Sequence, residues 1–275
     1  MKPFFSVILP TFNRAHILSI AIKSIINQSF PDWELIIVDD GSIDDTEAIV
    51  ESFLKDIRIK YFRQENKGVC TARNYGSERA VGNYITFLDS DDYVSESWLK
   101  DFYNEIKKSN ADIVRCKTLV NSLPEKNEYI LLAGNFTVKR DLFLDAGMYD
   151  TNLTFGENTE LKWRLEASKP KVSSISNVNF FYENDLSNNS NKKKENQIEF
   201  TYYILKKHQE LFKKNKRWKQ IVYQIAGVNC LQLGRMNEGR SLIWKGYACN
   251  PVNLRSLFRA IRYSLSLSRL PNILK

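Results

Sequence analysis

Apolar and polar positions alternate along the chain in blocks, and the blocks have two different periods. Phe5 to Leu9 is a continuous apolar run closed by Pro10, which reads as a buried strand. Leu18, Ala21, Ile22 and Ile25 then recur at helix spacing. Leu35-Ile36-Ile37-Val38 is a second buried strand, ending at Asp39-Asp40-Gly41-Ser42. Thr46 to Leu54 reads as a helix, Ile57 to Phe62 as a third strand, Arg73 to Ala80 as a helix and Tyr84 to Leu88 as a fourth strand. Strands alternating with helices predict an α/β fold with a parallel, doubly wound sheet. Such sheets bind ligands outside the carboxyl ends of their strands, near the point where strand order reverses.

Beyond residue 95 the pattern is less regular. Asp112-Ile113-Val114 and Asn135-Phe136-Thr137-Val138 read as strands, Lys139 to Phe143 as a short helix and the segment after Gly156 as another. Val172 to Tyr182 alternates in character and reads as strand, turn and strand; Ser187 to Lys194 reads as a polar loop. From Ile198 the chain is helical. Leu254, Leu257, Phe258, Ile261 and Leu265 form one apolar stripe, with Arg255, Arg259, Arg262 and Arg269 mostly off it. The domain expectation is one domain of two parts, 1–95 and 96–190, followed by a basic helical region over 191–275.

Charge sharpens that division. Residues 1–167 carry 20 Lys and Arg against 26 Asp and Glu, a net of −6, whereas residues 168–275 carry 20 against 6, a net of +14. A composition of 43% hydrophobic and 26% charged residues excludes wholesale disorder. Cys70, Cys116, Cys230 and Cys249 are scattered without a CxxC pair, which argues against a disulfide framework or a zinc site. The start has too short an apolar run for a secretory signal, and no stretch approaches the roughly 20 apolar residues of a membrane span. The expected location is therefore cytoplasmic.

The polar residues that carry chemistry sit where the sheet rule wants them. Thr11, Asn13 and Arg14 follow the first strand, Asp39 and Asp40 the second, and Asp89, Asp91 and Asp92 the fourth. Carboxylates delivered to a sheet edge suit Mg²⁺ or Mn²⁺, hard cations that bind few carboxylates and leave positions for substrate oxygens. The plainer alternative is that these acids only make turns and cap helices. No G-x-G-x-x-G follows the first strand and no Walker A lysine loop occurs, which disfavours dinucleotide and P-loop enzymes.

Four segments, in order, carry a resemblance. They are Ser6-Val7-Ile8-Leu9-Pro10-Thr11-Phe12-Asn13-Arg14, Val38-Asp39-Asp40-Gly41-Ser42, Asn66-Lys67-Gly68 with Ala72-Arg73-Asn74-Tyr75-Gly76, and Leu88-Asp89-Ser90-Asp91-Asp92. Together they resemble the signature of family 2 glycosyltransferases over about the first 170 residues. The resemblance implies a GT-A fold, Rossmann-like with a mostly parallel sheet flanked by helices, here with a helical basic C-terminal extension. It implies inverting transfer of a sugar from a nucleotide-diphosphate donor, most often UDP-linked, with Mn²⁺ or Mg²⁺. Set on matching positions, it implies that Pro10, Thr11 and Arg14 line the nucleoside end, with Asn13 also among the donor-binding residues, and that Asp39 bonds the base. Arg73 would lie near the base or diphosphate, Asp89 at the ribose or metal, and Asp91 on the metal. Gly68 would let backbone approach the nucleotide.

The family's Gly-Glu-Asp segment, which commonly carries the base at its Asp, is matched by Gly156-Glu157-Asn158. Asn158 cannot take a proton usefully. Glu157 is then the first candidate for the base and Glu160 the second; both are also ordinary first-turn acids favoured by a helix dipole. Arg164 pairs with one of these glutamates or with a phosphate. Trp163 reads as a sugar platform or as core, and His16 and His208 as structural or exposed, His208 within a helix. The implied partners are the nucleotide sugar and a glycan or lipid-linked acceptor in cell-surface polysaccharide synthesis. A basic amphipathic C-terminal helix fits an anionic membrane surface on the inner face of the cell membrane, the alternative being a helix docked on its own domain. No nucleic-acid-binding motif appears. A non-catalytic GT-A-like partner that keeps the nucleotide pocket is the alternative that Asn158 raises.

Overall fold

The computed structural model describes residues 2–120, 123–124, 131–182 and 190–264. The chain divides into two compact units, Met1–Asp185 and Leu186–Lys275.

The first unit is built on one mixed sheet. Strands β1 (Phe5–Thr11), β2 (Trp33–Asp39), β3 (Ile59–Arg63) and β4 (Tyr84–Phe87) lie parallel in the order β3-β2-β1-β4. Helices α1 (Leu18–Ile26), α2 (Thr46–Glu51) and α3 (Val69–Arg79) make the connections. Chain order runs outward from β1 to β3 and then jumps back to β4 on β1's other side, so the switch point lies between β1 and β4.

The other half of the sheet is mixed. Past β4 come β8 (Phe136–Lys139), β6 (Ile113–Val120), β9 (Val172–Tyr182) and β5 (Tyr93–Val94); β8 is antiparallel to both β4 and β6, and β5 to β9, with β6 and β9 the parallel pair. A short β7 (Leu123–Pro124) pairs antiparallel with β6. The expected α/β sheet flanked by helices is present, and its antiparallel pairs lie beyond β4. This half also holds α4 (Trp98–Ser109), α5 (Arg140–Asp145) and α6 (Glu157–Ala167).

Every residue of β1 and β2 is buried, which explains their unbroken apolar runs. Side chains of a strand alternate between faces. Phe5, Val7 and Leu9 pack with Leu18, Ile22, Ile25, Trp98 and Phe102 on one side. Ile8, Ile36, Val38 and Phe87 pack with Ala72, Phe143, Tyr149 and Leu161 on the other. Two apolar layers hold the sheet rigid from both faces, and the strand tips inherit that rigidity.

Three local expectations change. Val172 to Tyr182 is one strand, not strand, turn and strand; its irregular character matches register shifts against β6 between Arg115 and Thr118. The polar run after Ser187 is helical from Ser190, where α7 (Ser190–Lys207) begins, because Lys and Glu are good helix formers; residues 187–189 fall outside the described residues. His208 is not within a helix but between α7 and α8 (Gln209–Lys214).

The second unit is α7 and α8 with α9 (Lys216–Gln232), α10 (Met236–Cys249) and α11 (Leu254–Ser264). The backbones of α9 and α10 approach closely at two glycines. A Cβ on Gly227 would lie 2.6 Å from Ile243 Cγ1 and 2.9 Å from the Gly239 carbonyl oxygen. Gly227→Val is therefore expected to lower stability by about 1–3 kcal/mol, the cost of overpacking. A thermal melt of the full chain checks this, and an unchanged transition would refute the close approach.

Candidate active site

A hollow of about 480 Å³ opens at the switch point, where loops from β1, β2 and β4 meet the start of α3. From β1 come Pro10, Thr11, Phe12 and Arg14; from β2, Asp40; from β4, Asp89, Ser90 and Asp91. Asn66, Gly68, Val69 and Ala72 close the remaining wall.

The β1 and β2 loops are laced together. Asn13 N donates to Ser42 Oγ at 2.8 Å, Ile43 N to Asn13 Oδ1 at 2.9 Å, and Arg14 N to Thr46 Oγ1 at 3.2 Å. Asn13 adopts φ 52°, in the left-handed region that Asn tolerates. It clasps the two loops and is not on the wall of the hollow.

Asp39 and Asp40 face different surroundings. Asp39 is fully buried: Oδ1 accepts from Ser42 N and Oδ2 from Tyr61 Oη, both at 2.8 Å. Its carboxylate lies inside the fold, off the wall of the hollow. Asp40 is the residue at the wall. Its Oδ1 accepts from Lys67 N at 2.9 Å and Gln64 Nε2 at 2.6 Å, and its Oδ2 from Gly68 N at 2.7 Å. This pins the loop that starts α3. Gly68, at φ 88°, precedes the first turn, a conformation costly for any residue with a Cβ.

Thr11 Oγ1 is buried and, among the described residues, has no hydrogen-bond partner. A buried orphan hydroxyl on the wall of a hollow is the kind of polar atom that a ligand satisfies. Phe12 stands beside it at the rim, 44% exposed.

Asp89 and Asp91 face the same space. Arg14 Nη2 lies 3.6 Å from Asp91 Oδ2. Burial, and next the charge of Asp89, raise the Asp91 pKa. An acid whose pKa is raised by folding costs stability when ionised, and the cost is relieved as pH falls through that pKa. Two carboxylates in one hollow are the number Mg²⁺ or Mn²⁺ uses beside substrate phosphates, so these residues fit a divalent cation. Among the described residues, no group of three or more metal-ligating side chains forms. Asp92 is buried and off the wall.

Behind Asp89 sits Arg73, 2% exposed. Its Nη2 donates to both Asp89 oxygens at 2.7 and 3.0 Å, and its Nη1 to Glu157 Oε1 at 3.3 Å. Burial opposes the charge, but the carboxylates outweigh it and the Arg73 pKa is raised. Arg73 therefore ties the β4 tip to the first residue of α6, one layer behind the wall of the hollow. Glu157 also accepts from Asn158 Nδ2 at 3.2 Å, and Asn158 Oδ1 accepts from Tyr149 Oη at 2.9 Å. Asn74, inside the motif around Arg73, brackets the Tyr149 backbone: its Nδ2 donates to Tyr149 O and its Oδ1 accepts from Tyr149 N. The sequence reading missed Asp40 as the wall residue, and Asn74 and Tyr149 as the brace.

Glu160, the second candidate for the base, is held inside the fold. It is 0% exposed, and Arg164, four residues on, grips it through Nε at 2.9 Å to each oxygen and Nη2 at 2.6 Å. Its carboxylate is committed to that ion pair. Trp163 is 7% exposed and belongs to the packing.

These observations define an α/β protein with a ligand hollow at its switch point, walled by carboxylates and one orphan hydroxyl. Residues 6–153, more than half of the chain, match Glycosyl transferase family 2, and the chain belongs to that family. It is 34% identical over 190 residues to the uncharacterized glycosyltransferase RC0461 of Rickettsia conorii, covering 62% of this chain and 31% of that protein. It is 43% identical over 114 residues to the GalNAc(5)-diNAcBac-PP-undecaprenol beta-1,3-glucosyltransferase of Campylobacter jejuni, covering 40% of this chain and 37% of that protein. The matched stretch spans about a third of these relatives' length. The crystal structure of Staphylococcus aureus TarS 1-349 superposes with a TM-score of 0.67 at 21% identity, covering 95% of this chain and 87% of that one. The Pyrobaculum calidifontis mannosyltransferase PcManGT, in complex with GDP-Man and Mn²⁺, superposes at 0.65 with 14% identity, covering 98% and 82%. At these identities the likeness is one of fold, and the fold is GT-A.

Proposed function

We propose that the chain is an inverting glycosyltransferase that takes a UDP-linked sugar and passes it to a glycan or lipid-linked acceptor. The observation that carries this is one hollow holding Thr11, Asp40, Asp89 and Asp91, with Glu157 tied to Asp89 through Arg73. The TarS neighbour forms complexes with UDP and with UDP-GlcNAc, which supports the uridine reading.

In this reading Asp40 and Thr11 meet the base, and Phe12 offers its ring for stacking. Base stacking on an aromatic ring is worth about 1–3 kcal/mol, so Phe12→Ala should weaken UDP binding about tenfold by calorimetry. Unchanged affinity would remove Phe12 from the nucleotide site. Asp89 and Asp91 would hold Mn²⁺ or Mg²⁺, which neutralises charge on a leaving diphosphate. Glu157 accepts the proton of the acceptor hydroxyl as that oxygen bonds to the anomeric carbon and the nucleoside diphosphate departs from the opposite face. Arg14, on the same wall, would meet the diphosphate.

A lipid-linked acceptor of cell-surface polysaccharide synthesis would be met at the inner face of the membrane, and the basic C-terminal unit suits that setting. Among the described residues no helix is long and apolar enough to cross a membrane. A second reading, a partner protein that binds nucleotide without turnover, rests on Asn158 standing at the family's base position.

Screening nucleotide sugars for nucleoside diphosphate release, with and without Mn²⁺ and with lipid-linked acceptors, tests the proposal. It expects UDP release that requires both acceptor and metal. Release of pyrophosphate, or none with any donor, would overturn it.

A further inference from the structure

Helix α11 is packed on the face opposite to its apolar stripe. Its buried residues are small: Ser256, 2% exposed, and Ala260, 1%. Polar contacts hold this orientation within the second unit. Gln224 of α9 donates through Nε2 to Ser256 Oγ and accepts from Arg259 Nη1 at 2.8 Å. Arg240 of α10 donates through Nε to the Tyr263 carbonyl at 3.0 Å.

At 3.6 residues per turn, Leu254, Phe258 and Ile261 fall on the far side of the helix from Ser256 and Ala260. They are accordingly 65%, 66% and 39% exposed, and Val252 just before the helix is 86% exposed. An amphipathic helix normally turns its large apolar residues inward. Here the packing is met by the small ones, and the large ones are displayed. Arg255 flanks the displayed stripe in solvent.

Charge selects the occupant. Residues 168–275 carry a net +14, and no Asp or Glu follows Glu238. A second copy would bring the same positive surface against this one, whereas an anionic bilayer offers apolar depth and opposite charge together. We propose that the Leu254–Phe258–Ile261 face of α11 seats the chain on an anionic lipid surface. The apolar side chains enter the acyl boundary, with arginine at the level of the lipid phosphates. This adds a contact surface to the membrane setting given above and does not rest on the transferase chemistry, because lipid binding is read without substrate.

The test is co-sedimentation of the full chain with phosphatidylcholine vesicles, with and without phosphatidylglycerol. Binding should be about tenfold or more tighter on the anionic vesicles and should fall as salt rises. Leu254→Ser with Phe258→Ser should lower it about tenfold on those vesicles. Arg255→Gln should lower it only where phosphatidylglycerol is present. All three side chains are exposed, so the melting temperature should hold in every variant. Equal binding to both vesicle types, or undiminished binding by the serine variant, would overturn the proposal. So would a fall in melting temperature, which would mean that the face is packed. A dimer in light scattering that Phe258→Ser dissolves would assign the face to a second copy instead.

Discussion

Glu157→Gln should lower turnover by about 10²- to 10⁴-fold, the range for losing a positioned general base, while UDP affinity stays within about twofold of wild type. The split follows from position. Glu157 is absent from the wall of the hollow and opens α6, with its side chain 17% exposed. Its carboxylate is aimed by two donors, Arg73 Nη1 and Asn158 Nδ2. Glutamine keeps the shape and an acceptor oxygen but cannot take the proton. Single-turnover kinetics beside UDP calorimetry checks both halves. Turnover unaffected by the change would move the base elsewhere; wild-type protein that binds UDP but never turns over would favour the non-catalytic partner.

Arg73→Met should cost the first unit about 3 kcal/mol, the low end for breaking a buried ion pair because Asp89 is 32% exposed. For a unit of this size each kcal/mol is worth about 2–4 °C, so a fall of roughly 6–12 °C is expected. Methionine fills the space beneath Asp89 but leaves two carboxylates without their shared cation. It also frees the α6 terminus from the β4 tip, so turnover should drop along with stability. Arg73→Lys should recover less than half of the loss, because one ammonium cannot reproduce a guanidinium that meets Asp89 and Glu157 through different nitrogens. Differential scanning calorimetry of the three proteins decides it; a melting point for Arg73→Met within about 2 °C of wild type would contradict the tether.

The parts of this site that lie at strand ends could be read from the chain. A run such as Leu35 to Val38 can only be a buried strand or a buried helix, and the Asp39-Asp40-Gly41-Ser42 turn ends it too soon for a helix. The same logic placed Thr11, Asp89 and Asp91 at one edge, and all three line the hollow. Which of two adjacent acids would face it was not legible. Neighbouring side chains point to opposite faces, and only the packed layers reveal that Asp39 turns to Tyr61 while Asp40 turns to the Gln64–Gly68 loop. The Glu160–Arg164 pair was visible as a four-residue spacing, but the burial of Glu160 was not, since it depends on the packing of the whole second half of the unit. The Arg73–Glu157 contact joins residues 84 apart and leaves no local trace. The antiparallel β8, which breaks the parallel run, follows a stretch without clear periodicity.

The most direct test of the account is a calorimetric titration of UDP into the wild-type chain and into Asp91→Ala, each with and without Mn²⁺. If Asp89 and Asp91 hold a cation against the diphosphate, Mn²⁺ should tighten UDP binding at least about tenfold in the wild type, about 1.4 kcal/mol, and should change nothing in Asp91→Ala. Equal tightening by Mn²⁺ in both proteins, or no UDP binding by the wild type under any condition, would contradict it.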